Sequence, residues 1–191
     1  MKRLGSAMLV GVVAVLVASA PARAQYIFAG GGLSFPIGSD FRDVAKSGWV
    51  FTGGIGADIG SKGLWVEAEG YYAQHDRKVE GDRSNIFGFI GALGYSFNPE
   101  AKVSPYVTGG LGIVASQYKT EAGGSLGGGT EKGLGYTAAA GIGIKASSKL
   151  TFWGEGRFLG STGDHGPPGA FDSKAQVVML AVGLSIALTP N

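Results

Sequence analysis

The chain contains no cysteine among its 191 residues. Disulfide bonds, zinc-thiolate sites and cysteine nucleophiles are therefore excluded, and burial and hydrogen bonding must stabilise the fold. Histidine is almost as scarce, because only His75 and His165 occur and they lie far apart in the sequence. We accordingly expect neither a metal site nor a cofactor.

Charged residues are also few, at 16% of the chain, and no basic tract suggests binding to nucleic acid. The apolar run near the N-terminus, residues 9–18, is too short for a retained membrane helix, which needs about 20 residues. A basic start precedes this run and an A-x-A motif follows it at 22–24. We expect residues 1–24 to be a cleaved signal peptide and residues 25–191 to form one exported domain.

Glycine is abundant instead, with 36 residues in the chain against a usual share of about 7%. A collagen-like structure would need a strict three-residue period, which is missing. A disordered chain would have few large apolar residues, whereas 10% of this chain is Phe, Trp or Tyr. Glycine therefore fits one face of closely packed strands.

Short segments with a period of two, rather than a helical period, fill the sequence after Gln25. Eight such segments can be read, at about 26–36, 49–59, 64–74, 84–97, 104–118, 134–147, 150–159 and 175–188. The connections alternate between tight turns at 60–63, 98–103 and 147–149 and longer loops at 37–48, 75–83, 119–133 and 160–174. This pattern predicts an all-β fold, an eight-stranded antiparallel up-and-down transmembrane β-barrel, with periplasmic turns and external loops.

The two faces of these strands differ in polarity. In the third segment Leu64, Val66 and Tyr72 share one face, and Glu67 and Glu69 share the other, because successive side chains alternate. An apolar face turned inward would leave water facing glycine, alanine and aromatic residues with sparse charge. The same face is favourable against lipid, where a closed sheet also satisfies every backbone polar group.

Aromatic residues on the apolar face fall near the expected membrane boundaries. Such girdles are typical of membrane barrels. The loop-side residues are Trp49, Tyr72, Phe87, Tyr136 and Phe158, and the turn-side residues are Tyr95, Phe97 and Phe152.

The sequence contains an internal repeat, in which "GGIGADIGSKGLWVEAEGYY" (53–72) is similar to "AGIGIKASSKLTFWGEGRFL" (140–159). The offset is four strands, which places the two copies on opposite walls of an eight-stranded barrel. Pairing across the turns predicts that Gly56 faces Glu67, Gly54 faces Glu69, Gly143 faces Trp153 and Gly141 faces Glu155. Glycine would then make room for large side chains in a narrow lumen.

Charged side chains of the inward face form a predicted lumen network. Its members are Asp58, Glu67, Glu69, Lys145, Glu155 and Arg157. Carboxylates that face each other in a narrow interior repel and therefore need cations. We expect Arg157 to meet Glu69 across the barrel, since a guanidinium fork suits carboxylates. We also expect Lys145 to pair with Asp58.

The eight-strand pattern, the "GGGLSFPIGSDF" opening, the "GLWVEAEGYY" strand and the last alternating strand together resemble the small outer-membrane β-barrel family, including OmpA-like and opacity-type proteins. The resemblance implies an integral outer-membrane protein, in contact with outer-membrane lipid and lipopolysaccharide and inserted by the barrel assembly machinery, as a monomer. Gly183, Ile186 and Leu188 fit the family's C-terminal assembly signal, although its terminal aromatic residue is missing.

The family includes structural proteins, adhesins, resistance factors and some lipid-modifying enzymes, so several functions stay open. We expect a non-enzymatic surface barrel with a plugged lumen. One alternative is a narrow gated pore. Another is a lipid A-modifying enzyme, which would need His75 or His165 beside a serine such as Ser84, Ser161 or Ser173 and an orienting carboxylate.

Three further readings fit the residues less well. "GLGIVA" (110–115) and "GIGIKA" (141–146) match a dinucleotide fingerprint, but no helix is predicted after either. Glu67 and Glu69 point in parallel from one strand and would not flank a glycosidic bond. A soluble lipocalin-like binder would require the apolar face to point inward.

Overall fold

The computed structural model describes residues 25–37, 39–59, 63–78, 83–119, 130–164 and 174–188. The predicted signal peptide, His165 and Ser173 lie outside these ranges. The elements are β1 (Gln25–Pro36), α1 (Ser39–Val44), β2 (Ala45–Asp58), β3 (Leu64–Arg77), β4 (Arg83–Ser96), β5 (Val103–Lys119), β6 (Thr130–Lys145), β7 (Leu150–Asp164) and β8 (Lys174–Ala187).

The eight strands form one closed barrel in which each strand pairs with its sequence neighbours and β8 pairs with β1. Every pairing is antiparallel. The predicted eight-stranded antiparallel up-and-down barrel is therefore confirmed. Among the described residues, no helix is long and apolar enough to cross a membrane.

The turns at one end of the barrel set the register of the hairpins. The Ile59 amide donates to the Leu64 carbonyl at 2.9 Å, and the Ala146 amide donates to the Leu150 carbonyl at 2.9 Å. Gly63 adopts a φ of +89°, a left-handed conformation that favours glycine. The predicted strand pairs follow, with Gly56 opposite Glu67, Gly54 opposite Glu69, Gly143 opposite Trp153 and Gly141 opposite Glu155.

The other end of the barrel differs from the expected loops in two respects. Residues 39–44 of the first expected loop form α1, and β2 begins directly after it at Ala45. A six-residue helix is too short to show an apolar stripe, so alternation could not reveal it. Strands β3, β5, β6 and β7 also extend beyond their predicted ends, because backbone pairing continues past the apolar alternation.

The outer surface is apolar over the height of the barrel. Val182 is 69% exposed and Phe51 is 63% exposed, whereas Glu69 is 1% exposed. The face that carries aliphatic residues thus points outward, and the charged face points into the lumen, as the sequence predicts. This arrangement suits a barrel surrounded by lipid.

The lumen itself is divided into two halves. The half beneath the loops holds an apolar core that the sequence analysis missed. Its members include Phe41, Val50, Ala73, Ile86, Ile90, Val114, Leu159, Val177 and Met179. Alternation reports only a contrast between faces, and these segments carry apolar residues on both faces. The half nearer the turns is polar and aromatic.

Candidate functional site

Arg157 lies at the centre of the lumen, where the two halves meet. From β7 it donates through Nη1 to the Glu69 carboxylate on the opposite strand β3, and through Nε to Glu155 at 2.7 Å. Its Nη2 lies 4.0 Å from a carboxylate oxygen of Glu67. Glu67, Glu69 and Arg157 are all buried. One guanidinium therefore holds three carboxylates, two of them by hydrogen bonds.

Two neighbouring hydroxyl groups donate further hydrogen bonds to two of these carboxylates, Glu69 and Glu155. Thr52 donates to Glu69, and the Tyr106 hydroxyl donates to Glu155 at 3.0 Å. Buried charges of this kind persist when their remaining lone pairs are also bonded. The sequence analysis did not single out Thr52 or Tyr106. Both occupy inward-facing positions in the alternating pattern of their strands, and that pattern is the sequence signal that could have identified them.

Asp58 and Lys145 lie nearer the turns and outside this central layer. Both line the turn-side part of the lumen. The Lys145 ammonium donates to the Pro99 carbonyl, and its charge acts on Asp58 without a direct hydrogen bond between the two side chains. Lys145 is the last residue of β6, so its long side chain reaches the adjacent turn before it reaches the opposite wall. Its exposure to solvent further weakens any pairing.

A cavity of about 640 Å³ occupies the turn-side half of the lumen. Aromatic side chains form much of its wall, and the central charged layer forms its inner end. The aromatic residues are Tyr26, Phe28, Trp65, Tyr106 and Trp153.

Glycine makes room for these rings. A Cβ atom on Gly56 would overlap the Tyr26 ring, and one on Gly94 would overlap Trp65. The sequence analysis expected glycine to accommodate large inward side chains, and named glutamates and Trp153 as the partners. The rings of Tyr26 and Trp65 take the space at Gly56 and Gly94, and the Trp153 ring takes the space at Gly30 and Gly183, because an aromatic ring leans across to the neighbouring strand.

Buried side chains fill much of the loop-side half. Between the Arg157 layer and the apolar core lies a void of about 10 Å³, bordered by Val50, Leu159 and Met179. That volume is at most enough for about one water molecule. Phe41 of α1 is 1% exposed and packs above this core. The lumen is consequently closed at the loop end over the described residues.

His75 lies buried beneath α1, with its ring edge-on to Phe41 at 5.5 Å between centroids. Its Nδ1 is 3.0 Å from the Lys46 carbonyl and its Nε2 is 3.2 Å from Ser34 Oγ. Ser84 pairs with His75 across the strands, but its hydroxyl has no hydrogen-bond partner among the described side chains. Neither ring nitrogen is bonded to a carboxylate within the described ranges, so this part of the chain forms no catalytic triad.

Ser161, another candidate nucleophile, is buried on β7. In the part of the chain that the structure covers, no group of histidine and carboxylate side chains is arranged to hold a metal ion. The described side chains of the lumen make ion pairs, hydrogen bonds and aromatic contacts.

The expected girdle residues lie on the outer face. Trp49 contacts Tyr72 at 5.3 Å between ring centroids, and Tyr95 contacts Phe97 at 5.4 Å. The remaining members pair across strands or stand exposed at the two levels. Phe87 lies opposite Tyr72 on the neighbouring strand. The ring centroids of Tyr136 and Phe158 are 5.8 Å apart, and Phe152 is 50% exposed.

Several solved outer-membrane barrels are similar to this chain in structure. Neisserial surface protein A gives a TM-score of 0.62 at 15% identity, over 86% of this chain and 97% of that one. OprG from Pseudomonas aeruginosa gives 0.53 at 14% identity, over 86% and 96%. The N-terminal β-barrel domain of Pseudomonas aeruginosa OprF gives 0.52 at 14% identity, over 86% and 97%. At these identities the similarity concerns the fold alone.

A family model places the chain more directly. No curated protein is significantly similar to the chain in sequence. The model for the outer membrane protein beta-barrel domain, however, matches residues 10–185, which is most of the sequence. The chain therefore belongs to the outer membrane β-barrel family and is a protein of the outer membrane.

Proposed function

We propose that this protein is a closed, non-enzymatic barrel that anchors four surface connections in the outer membrane. The observation that carries the proposal is the apolar core above Arg157, which leaves a void of only about 10 Å³. An eight-stranded barrel is just wide enough for its side chains to fill it. A structural or surface-interaction role fits such a closed lumen better than passage of solutes.

The buried setting of His75 supports a non-enzymatic role. His75 and Ser34 are 0% exposed, and Ser84 is 1% exposed. A serine nucleophile needs a base within hydrogen-bond reach and an accessible reacting atom. Lipid substrates could reach neither the His75 ring nor the Ser84 hydroxyl without displacement of α1, whose Phe41 covers the histidine.

The orientation follows from the usual arrangement of the family, with short turns in the periplasm. The end that carries α1 then faces the outside. Asp76 and Arg83 at that end are solvated, with a separation of 3.9 Å between charged atoms. We propose outer-membrane lipid and lipopolysaccharide as the partners there, the barrel assembly machinery as the partner during insertion, and a monomer from which residues 1–24 have been removed.

Conductance across planar bilayers tests the closed lumen. We expect the purified, folded barrel to give no current steps above the protein-free baseline, because the apolar core leaves no continuous water path. A double variant, Ile86→Gly with Val114→Gly, removes two side chains of that core and serves as the matched control for the sensitivity of the assay. Steps from the unaltered protein that change with Glu69→Gln would contradict the proposal and favour the gated pore.

A further inference from the structure

The turn-side cavity is a blind pocket that opens toward the periplasm in the orientation given above. Gly63, Pro99 and Glu100 of the turns line it at the open end, and Arg157 with Glu155 lines it at the closed end. Its volume of about 640 Å³ lies within the usual range for small-molecule sites. A closed barrel needs no such space, because the loop-side half shows that side chains can fill the lumen.

Acidic side chains outnumber basic side chains in the lining of the pocket. Four carboxylates line it against two cations, which leaves a formal excess of two negative charges. The carboxylates are Asp58, Glu67, Glu100 and Glu155, and the cations are Lys145 and Arg157. An anionic ligand would be repelled by this lining, whereas a cation would be attracted.

The two cations of the lining are already bonded to other groups. Arg157 donates to Glu69 and Glu155, and Lys145 donates to the Pro99 carbonyl. Glu67 is 5% exposed and faces the pocket, yet the nearest nitrogen of Arg157 is 4.0 Å away. This distance is too long for a hydrogen bond. Of the two buried carboxylates in the lining, Glu67 and Glu155, Glu67 is therefore the one that makes no hydrogen bond to a cation.

Aromatic rings supply the second element of recognition. Five of the side chains around the pocket are tyrosine, phenylalanine or tryptophan, and Trp65 and Tyr106 lie 6.0 Å apart between ring centroids. Aromatic faces attract organic cations, and cages of such rings recognise quaternary ammonium groups. A hydrated metal ion would gain little from these walls, since hard cations prefer oxygen ligands.

We propose that the turn-side cavity is a binding site, entered from the periplasm, for small organic cations of the quaternary ammonium class. The aromatic walls would contact the methyl groups, and the Glu67 carboxylate would balance the charge. This function goes beyond the closed barrel, and it depends only on the turn-side half of the lumen.

Choline is a suitable probe, with 3,3-dimethylbutan-1-ol as an uncharged control of nearly identical shape. The chain has three tryptophans, and Trp49→Phe leaves only Trp65 and Trp153, both of which line the pocket. We expect choline to change the fluorescence of this folded variant in detergent micelles in a saturable manner. The uncharged control should bind roughly tenfold more weakly, a difference of about 1.4 kcal/mol, because it loses the attraction between a cation and the aromatic rings.

Charge variants locate the site. Glu67→Gln should weaken choline binding roughly fivefold, and Lys145→Gln at the solvent-exposed rim should strengthen it about twofold, because each changes the charge close to the ligand. Asp76→Asn removes one charge at the opposite end of the barrel and should leave binding unchanged. Folding of each variant is checked by heat-modifiable electrophoretic mobility.

Three outcomes would overturn the proposal. They are an absence of saturable choline binding, equal binding of choline and the uncharged control, and equal weakening by Glu67→Gln and Asp76→Asn. Should Glu67→Gln fail to fold, Lys145→Gln decides, and unaltered binding by that variant rejects the site. Conductance tests the closure of the loop-side half separately. A barrel that conducts and also binds choline would contradict the closed lumen but would leave the binding site supported.

Discussion

At the scale of single residues, Arg157 is the group on which the central lumen depends. Its planar guanidinium donates through two separate nitrogens, Nη1 to Glu69 on the opposite wall and Nε to Glu155 on its own strand. Thr52 and Tyr106 bond the same two carboxylates from further strands. The layer thus joins five side chains from four strands by hydrogen bonds.

Arg157→Met should lower the free energy of unfolding by about 3–5 kcal/mol, because buried carboxylates would lose their cation. Urea titration of the barrel in lipid vesicles, followed by tryptophan fluorescence, measures this change. Arg83→Met is the matched control, since its 3.9 Å pair with Asp76 is largely exposed and is expected to contribute at most about 1 kcal/mol. Similar small losses in both variants would show that the Arg157 network does not stabilise the fold.

At the scale of the strand, close approach between neighbours explains part of the glycine content. Gly112 of β5 pairs with Ile90 of β4 and faces the lumen. A Cβ atom there would collide with the main-chain carbonyl of Phe89, which is fixed by the ladder between the two strands. Gly156 of β7 differs, because it faces outward and a Cβ atom would make only an ordinary contact with Leu180 at 3.7 Å.

Gly112→Ala should therefore destabilise the barrel by about 1–3 kcal/mol, the range for an overpacked interior. Gly156→Ala should be neutral or stabilising by up to about 1 kcal/mol, because the substitution restricts the unfolded chain. Urea unfolding of the two variants measures the difference in their free energies of unfolding, from the midpoints when the denaturant dependence of that free energy is the same in both. Equal midpoints would mean that the strands can separate enough to admit a methyl group.

At the scale of the whole molecule, the exterior defines a membrane-spanning band. Phe158 pairs with Val178 and Phe152 pairs with Leu184, so the two aromatic levels bracket Val182 on β8. Leu188 lies beyond the turn-side level, where its amide donates to the Gln25 carbonyl at 2.9 Å. The exposed apolar residues between the levels are those that lipid tails must cover.

Val182→Arg should cost about 2–4 kcal/mol in bilayers, whereas Leu188→Arg should cost at most about 1 kcal/mol, because the penalty for a lipid-facing charge falls toward the interface. Reversible folding into vesicles of defined thickness measures both values. A soluble barrel would show no such depth dependence. Equal costs at the two positions would thus refute the membrane orientation of the exterior.

Local pattern was sufficient for the strands and their faces. Alternation predicts the strand positions, and the turn at 60–63 predicts the pairing of Gly56 with Glu67 that the structure contains. The internal repeat, whose two copies are four strands apart, also places Glu69 and Arg157 on facing walls, where their side chains meet. These inferences succeed because side-chain direction and hairpin register depend on residues close together in the sequence.

The sequence by itself determined the closed sheet, its register at the turns and the inward direction of Glu67, Glu69 and Arg157. Only the tertiary structure decided that α1 and an apolar core close the loop end, and that Lys145 bonds the Pro99 carbonyl rather than Asp58. Tertiary structure also decided that the turn-side half stays open as a cavity. The physical reason is that contacts across the lumen depend on strand tilt and stagger, which relate residues far apart in the chain.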